Sequence, residues 1–222
     1  MVVVSSLLFG LILICFTGFF VFSSLNYKRR FNVKYNPLNM FPYELNYEQT
    51  FRDNFFGNLF LFFVSIIGIV FYVLIIKEST SGFIILLAIS GILSSLLFSF
   101  IPLINLKYLK KHLSSSIFFF VSTLVSLLSN ALIALNYHNT WLDNSSLVLT
   151  IIFFVFGGLY LIVLFNPKIS LWTKMEVVEN SDGTSFYKRP KFFPLAYTEW
   201  LSFIFCLISA MCTLILVIFK MI

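Results

Sequence analysis

Charged side chains are scarce in this chain: Asp, Glu, Lys and Arg make up 11% of its 222 residues, against 59% apolar residues. That balance excludes an ordinary soluble domain and calls for a membrane solvent. Cysteine is scarcer still. Cys15, Cys206 and Cys212 form no C-x-x-C pair and have no histidine nearby in sequence, so neither a disulfide framework nor a zinc centre is expected. The three thiols read as packing residues. The chain has no H-E-x-x-H, no G-x-S-x-G and no phosphate-cradling glycine loop, so no local motif supports an enzyme and no cofactor is expected.

What the chain has is phenylalanine, 30 residues of it, and long apolar runs. Six runs reach or approach the ~20 residues that a helix needs to cross ~30 Å of hydrocarbon. They lie at about 4–24, 55–76, 83–106, 113–136, 146–166 and 195–219, separated by polar connections of which 25–54 and 167–194 are the longest. The fold expected is an all-α integral membrane protein, a single bundle of six transmembrane helices over residues 1–222. The opening run lacks a basic leader and a small-x-small cleavage site, so it reads as a retained helix.

Basic residues alternate along the connections. The first holds Lys28, Arg29, Arg30, Lys34 and Arg52, the third Lys107, Lys110 and Lys111, and the fifth Lys168, Lys174, Lys188, Arg189 and Lys191, which is 13 of the 15. The positive-inside rule would place these three loops in the cytoplasm. The formal charge of +6 then reflects attraction to anionic headgroups, so membrane lipids are the expected partner and nucleic acid is not. Asn144-Ser145-Ser146 is a glycosylation sequon on the other side, very close to the membrane. In the fifth connection, Met175 to Val178 and Thr184 to Tyr187 flank the turn residues Asn180 to Gly183, the pattern of a short hairpin.

Within the spans, Gly91, Ser95 and Ser99 fall at helical spacing in the third, and Ser115, Ser122, Ser126 and Ser129 in the fourth. Small residues so placed let helices approach closely in lipid. A polar pore lining is the alternative, and uncharged hydroxyls make a poor ion path. Gly157-Gly158 and Pro102 are expected to permit close approach or a kink.

Ionisable residues at membrane depth are costly and mark functional candidates. They are His112 and Glu199, with Arg52 and Asp53, all at the entrances of the even-numbered spans. Connections one, three and five share a side, so these four residues share it too. His112 and Glu199 are expected to form a polar cluster that binds or polarises a lipid headgroup, covered by the first connection with Pro42 and Tyr43. The competing reading is structural: a Glu in a first helical turn favoured by the helix dipole, and a His among interfacial lysines. Trp200, Tyr43, Tyr108 and Trp172 read as interfacial anchors. His138 falls on the opposite side, which disfavours a two-histidine metal site.

The order of Asn36-Pro37, Phe41-Pro42-Tyr43 and Phe56-Gly57 resembles the damage-regulated autophagy modulator (DRAM/FRAG/SFK) superfamily of six-span proteins. So does His112 before Ser114-Ser115-Ser116 and Phe118-Phe119-Phe120, and so do Leu195-Ala196-Tyr197-Thr198-Glu199-Trp200 at the last span and the Met175-Glu176 to Tyr187 layout. The group includes proteins of GPI-anchor lipid remodelling and plasma-membrane proteins affecting phospholipid distribution. The resemblance implies an endomembrane (ER, Golgi or lysosome) or plasma-membrane protein that modulates lipid handling or autophagy, with a membrane-protein partner left open. It also implies cytoplasmic termini, the reverse of the charge count; the six-span frame is common to both. Two other functions remain as alternatives: a small transporter or channel subunit, and a lipid-modifying enzyme with His112 as general base oriented by Glu199.

Overall fold

The computed structural model describes residues 1–46, 52–78, 81–104, 108–167, 176–179 and 185–222. Among the described residues, six helices are long and apolar enough to cross a membrane. They are α1 (Val2–Phe31), α2 (Phe55–Glu78), α3 (Gly82–Leu103), α4 (Leu109–Trp141), α5 (Asn144–Leu164) and α6 (Pro194–Ile218). A 3-10 helix, Pro42–Asn46, lies in the first connection, and two short strands, β1 (Glu176–Glu179) and β2 (Ser185–Lys188), pair antiparallel in the fifth. The expected hairpin is present one residue further along; its turn, Asn105, Lys107 and Trp172 lie outside the described residues.

Several helices outrun their apolar runs. The first continues through Lys28, Arg29 and Arg30 to a left-handed Asn32 (φ 54°), so these cations belong to its last turn rather than to a loop. Basic side chains there suit the helix C-terminus, and their stems cover apolar surface while the charges reach the headgroups. The fourth begins before His112 and runs to a left-handed Leu142 (φ 52°), whose N–H bonds back to the His138 carbonyl. The third stops at Leu103, with Pro102 in its last turn, rather than at 106.

Sequential helices are neighbours, and α6 closes the bundle against α1, α3, α4 and α5. Two glycines set close approaches. A Cβ on Gly91 would collide with the ring of the buried Tyr72, which fixes the spacing of α2 and α3. One on Gly57 would run into Ser23 of α1 and into Asn54 just before α2. Gly157 sits against Leu128, while Gly158 has open space.

The expected small-residue faces are largely buried, and several of their hydroxyls are bonded, although Ser129 Oγ is buried without a partner among the described residues. Ser99 donates to the Leu61 carbonyl (2.7 Å), and Ser65 donates to the Ser95 carbonyl, tying α2 to α3. Ser122 returns its proton to Phe119 on its own helix, whereas Ser126 meets Ser209 of α6 at 2.7 Å. Asn130 completes that α4–α6 seam: its amide donates to the Ser126 and Ser209 carbonyls, and its oxygen accepts from Thr213 (3.0 Å). Ser115 is only half-buried, and Ser116, one position on, points inward instead. Cys15, Cys206 and Cys212 are buried free thiols.

Candidate functional site

The fourth residue of α4 and the sixth of α6 meet at one end of the bundle. His112 and Glu199 are 2% and 3% exposed, and the His112 Nε2 stands 3.1 Å from the Glu199 Oε1. The other ring nitrogen, Nδ1, lies 3.3 Å from the Ile104 carbonyl just past the end of α3. Since a carbonyl can only accept, Nδ1 carries a proton. The second proton of the pair then sits on Nε2 or on the carboxyl, and in both forms the pair is neutral overall. That is how the two groups tolerate burial that would be prohibitive for either charge alone.

Both histidine nitrogens are therefore engaged within the protein. The atom left over is Glu199 Oε2, buried and without a hydrogen-bond partner among the described residues. This reverses the roles expected for an enzyme: His112 is placed to orient Glu199, and the carboxyl presents the unsatisfied acceptor. Ser116 Oγ approaches Oε1 at 3.5 Å, at the limit of a hydrogen bond.

Residues 35–46 of the first connection lie over this pair. The Tyr43 ring, 4% exposed, packs edge-on to His112 with centroids 5.3 Å apart, and Pro42 is buried beside it. Trp200 is no interfacial anchor but is turned inward, donating its Nε1–H to Tyr35 Oη (2.9 Å) and to the Met40 carbonyl (3.1 Å). Tyr35 Oη in turn lies within donating distance of the Met40 and Phe41 carbonyls. Burial pushes the Tyr35 phenol well above its ordinary range, so it stays protonated and available as donor. Tyr108, by contrast, is exposed. Glu199 itself stands in the second turn of α6, where the helix-dipole account expected for a first-turn Glu has little force.

The fifth connection holds this cover down. Arg189 Nη1 reaches both oxygens of Glu44 at 2.8 Å and the Asn39 carbonyl at 3.0 Å, while its guanidinium stacks on Phe41 and Phe193. Glu44 also accepts from the Phe41 N–H at 2.6 Å. Phe193 N–H donates to the Leu38 carbonyl (2.8 Å), so a strand-like contact joins the two connections. At the other end of the cover, Asn46 donates to the Pro102 carbonyl (3.2 Å) and accepts from Asn54 (2.8 Å).

Arg52 and Asp53 occupy the same end but stand apart from the buried pair. Both are exposed, and Asp53 faces Arg30 of α1 at 3.7 Å. The buried pair draws on α3, α4, α6 and the first connection, with Ser116 as the additional side chain. Tyr35, Glu44, Arg189 and Asn54, which secure the cover, carried no signal as isolated residues. Among the described residues, no group of three or more His, Cys, Asp or Glu side chains is placed to hold a metal ion. Comparison with family models, with curated proteins and with solved structures returns no match.

Proposed function

We propose that this multi-pass membrane protein handles membrane lipids by receiving the polar headgroup of a lipid against Glu199. The observation that carries the reading is the buried Oε2, an acceptor without a partner among the described residues, oriented by His112 and covered by Tyr43. An unpaired buried acceptor costs roughly 1–3 kcal/mol, which a ligand donor would recover. Hydroxyl and ammonium groups of lipid headgroups are donors of the right kind. Glu199 lies five residues, about 7–8 Å, along the axis from the start of α6, near one end of the span.

The reading agrees with the lipid-handling role implied by the resemblance to the autophagy-modulator superfamily, in an endomembrane or the plasma membrane. In this reading the protein is a binder, with His112 held between the Ile104 carbonyl and Glu199 as the residue that orients the carboxyl. The transporter alternative would need a polar route, and the Ser126, Asn130, Ser209 and Thr213 side chains are bonded to one another and to helix carbonyls.

Photoactivatable phosphatidylinositol and phosphatidylethanolamine, added to membranes containing the full chain, test the reading. Labelling of peptides 35–46 and 193–203 is expected in the wild type. It should fall at least fivefold in Glu199→Gln, which replaces one carboxylate oxygen by a donor at nearly constant shape. Equal labelling in the two proteins would refute it.

A further inference from the structure

A second lipid contact stands on the outside of the same end. A groove of about 560 Å³ opens between the C-terminal end of α1 and the N-terminal end of α2. This is within the size range of small-molecule sites. Its walls are of two kinds. Phe22, Leu25, Phe55 and Phe56 are exposed on the membrane side, with Phe22 stacked on Phe60 (centroids 5.5 Å) and close to Phe56 (5.8 Å). Above them, Arg29 from the last turn of α1 and Arg52 from the turn that leads into α2 line the polar rim.

The charges at the rim do not cancel. Among the described residues, Asp53 is the one acidic side chain lining the groove, and it faces Arg30. Arg29 and Arg52 form no ion pair among the described residues. Two guanidinium groups over an aromatic floor at a membrane interface match a phosphate with an acyl chain below it. Guanidinium is well suited to phosphate oxygens because its planar fork donates two parallel hydrogen bonds. The aromatic faces are sites where an acyl chain buries apolar surface.

We infer that this groove binds an anionic glycerophospholipid, its phosphate between Arg29 and Arg52 and one chain along Phe22 and Phe56. The site is independent of the Glu199 reading, because it selects a negative phosphate and not a donor. Its back wall is Asn54, whose amide donates to Ser23 (2.9 Å) and to Asn46 at the end of the cover. The same asparagine thus lines the groove and fixes the cover.

Native mass spectrometry of the detergent-solubilised full chain, with dioleoylphosphatidylglycerol or dioleoylphosphatidylcholine added, tests the assignment. The phosphatidylglycerol adduct is expected to exceed the phosphatidylcholine adduct at least fivefold. Arg29→Gln with Arg52→Gln should bring the two to parity at an unchanged melting temperature. Lys110→Gln with Lys111→Gln removes the same charge from the same end and should leave the preference intact. Glu199→Gln should also leave it intact, which separates failure here from failure of the headgroup reading. Three results would overturn the assignment: no preference in the wild type, an equal loss in the lysine variant, or displacement of the lipid by millimolar inorganic phosphate.

Discussion

Arg189 and Glu44, 145 residues apart in sequence, meet at 2.8 Å and join the fifth connection to the first directly above the His112–Glu199 pair. The pair is partly buried, with side chains 28% and 16% exposed, and it is bonded to backbone at both ends. Arg189→Ala should therefore cost about 1.5–3 kcal/mol, the range for hydrogen bonds to charged groups. Amide exchange over residues 38–46 should accelerate in step, and unchanged exchange there would show that the clasp does not hold the cover.

Acid should stabilise the fold at Glu44 even though protonation removes the charge that Arg189 pairs with. Burial raises the Glu44 carboxyl above its ordinary value, outweighing the pull of Arg189. A carboxyl so shifted binds its proton more readily folded than unfolded. Its contribution is complete below the ordinary carboxylate range and is lost as pH rises through the raised folded value. The wild type should gain melting temperature between pH 7 and pH 4 relative to Glu44→Gln, which has no such proton. A parallel pH course for the two proteins would contradict the assignment.

His112 and Glu199 should behave as a unit. Removing one partner leaves the other buried and uncompensated, at about 3–5 kcal/mol for His112→Ala or Glu199→Ala. The double substitution should cost clearly less than the sum of the two, and a double-mutant cycle in denaturant reads the difference. Strict additivity would mean that the two side chains do not share a proton.

At the α4–α6 seam, Asn130→Ala removes donors to two carbonyls and the acceptor for Thr213. Interhelical hydrogen bonds in membranes average about 0.6 kcal/mol and reach about 1.7. A loss of about 1–2 kcal/mol is expected, without change in lipid labelling at the His112 end. Loss of labelling at unchanged stability would tie the seam to the site.

Gly91→Ala drives a methyl group into the Tyr72 ring. Overpacking of this kind costs about 1–3 kcal/mol, and Gly91→Ala combined with Tyr72→Leu should recover part of it. Thermal unfolding of the single and double variants measures both.

The six spans were legible because hydropathy reports length and apolarity, and the side shared by His112 and Glu199 followed from counting crossings. Which face of each helix turns inward was not legible to the same degree. Lipid and protein core are both apolar, so Trp200 at a span entrance reads equally as an anchor or as the buried donor to Tyr35 that it is. Arg52 and Asp53 were grouped with the buried pair because sequence gives the end of the bundle and not the position around it. Glu44 and Arg189 carried no signal, since charges are ordinary in polar connections. His112 was legible as a candidate, but its two carbonyl and carboxyl contacts, which assign it an orienting role, exist only in three dimensions.

The cover over Glu199 joins residues 35–46 to residues 189–200, and this separation has a consequence for biogenesis. At ~5–20 residues per second of synthesis, the first connection waits roughly 8–30 s before the segment it must grip has emerged. Until then Tyr35, Phe41 and Tyr43 have no α6 to pack on, and the groups that later close the site stand open to whatever chaperone or lipid is at hand. A cell that recognises those exposed aromatics could distinguish an incompletely inserted chain from a finished one, so the same contacts that seal the site also report that the sixth helix has arrived.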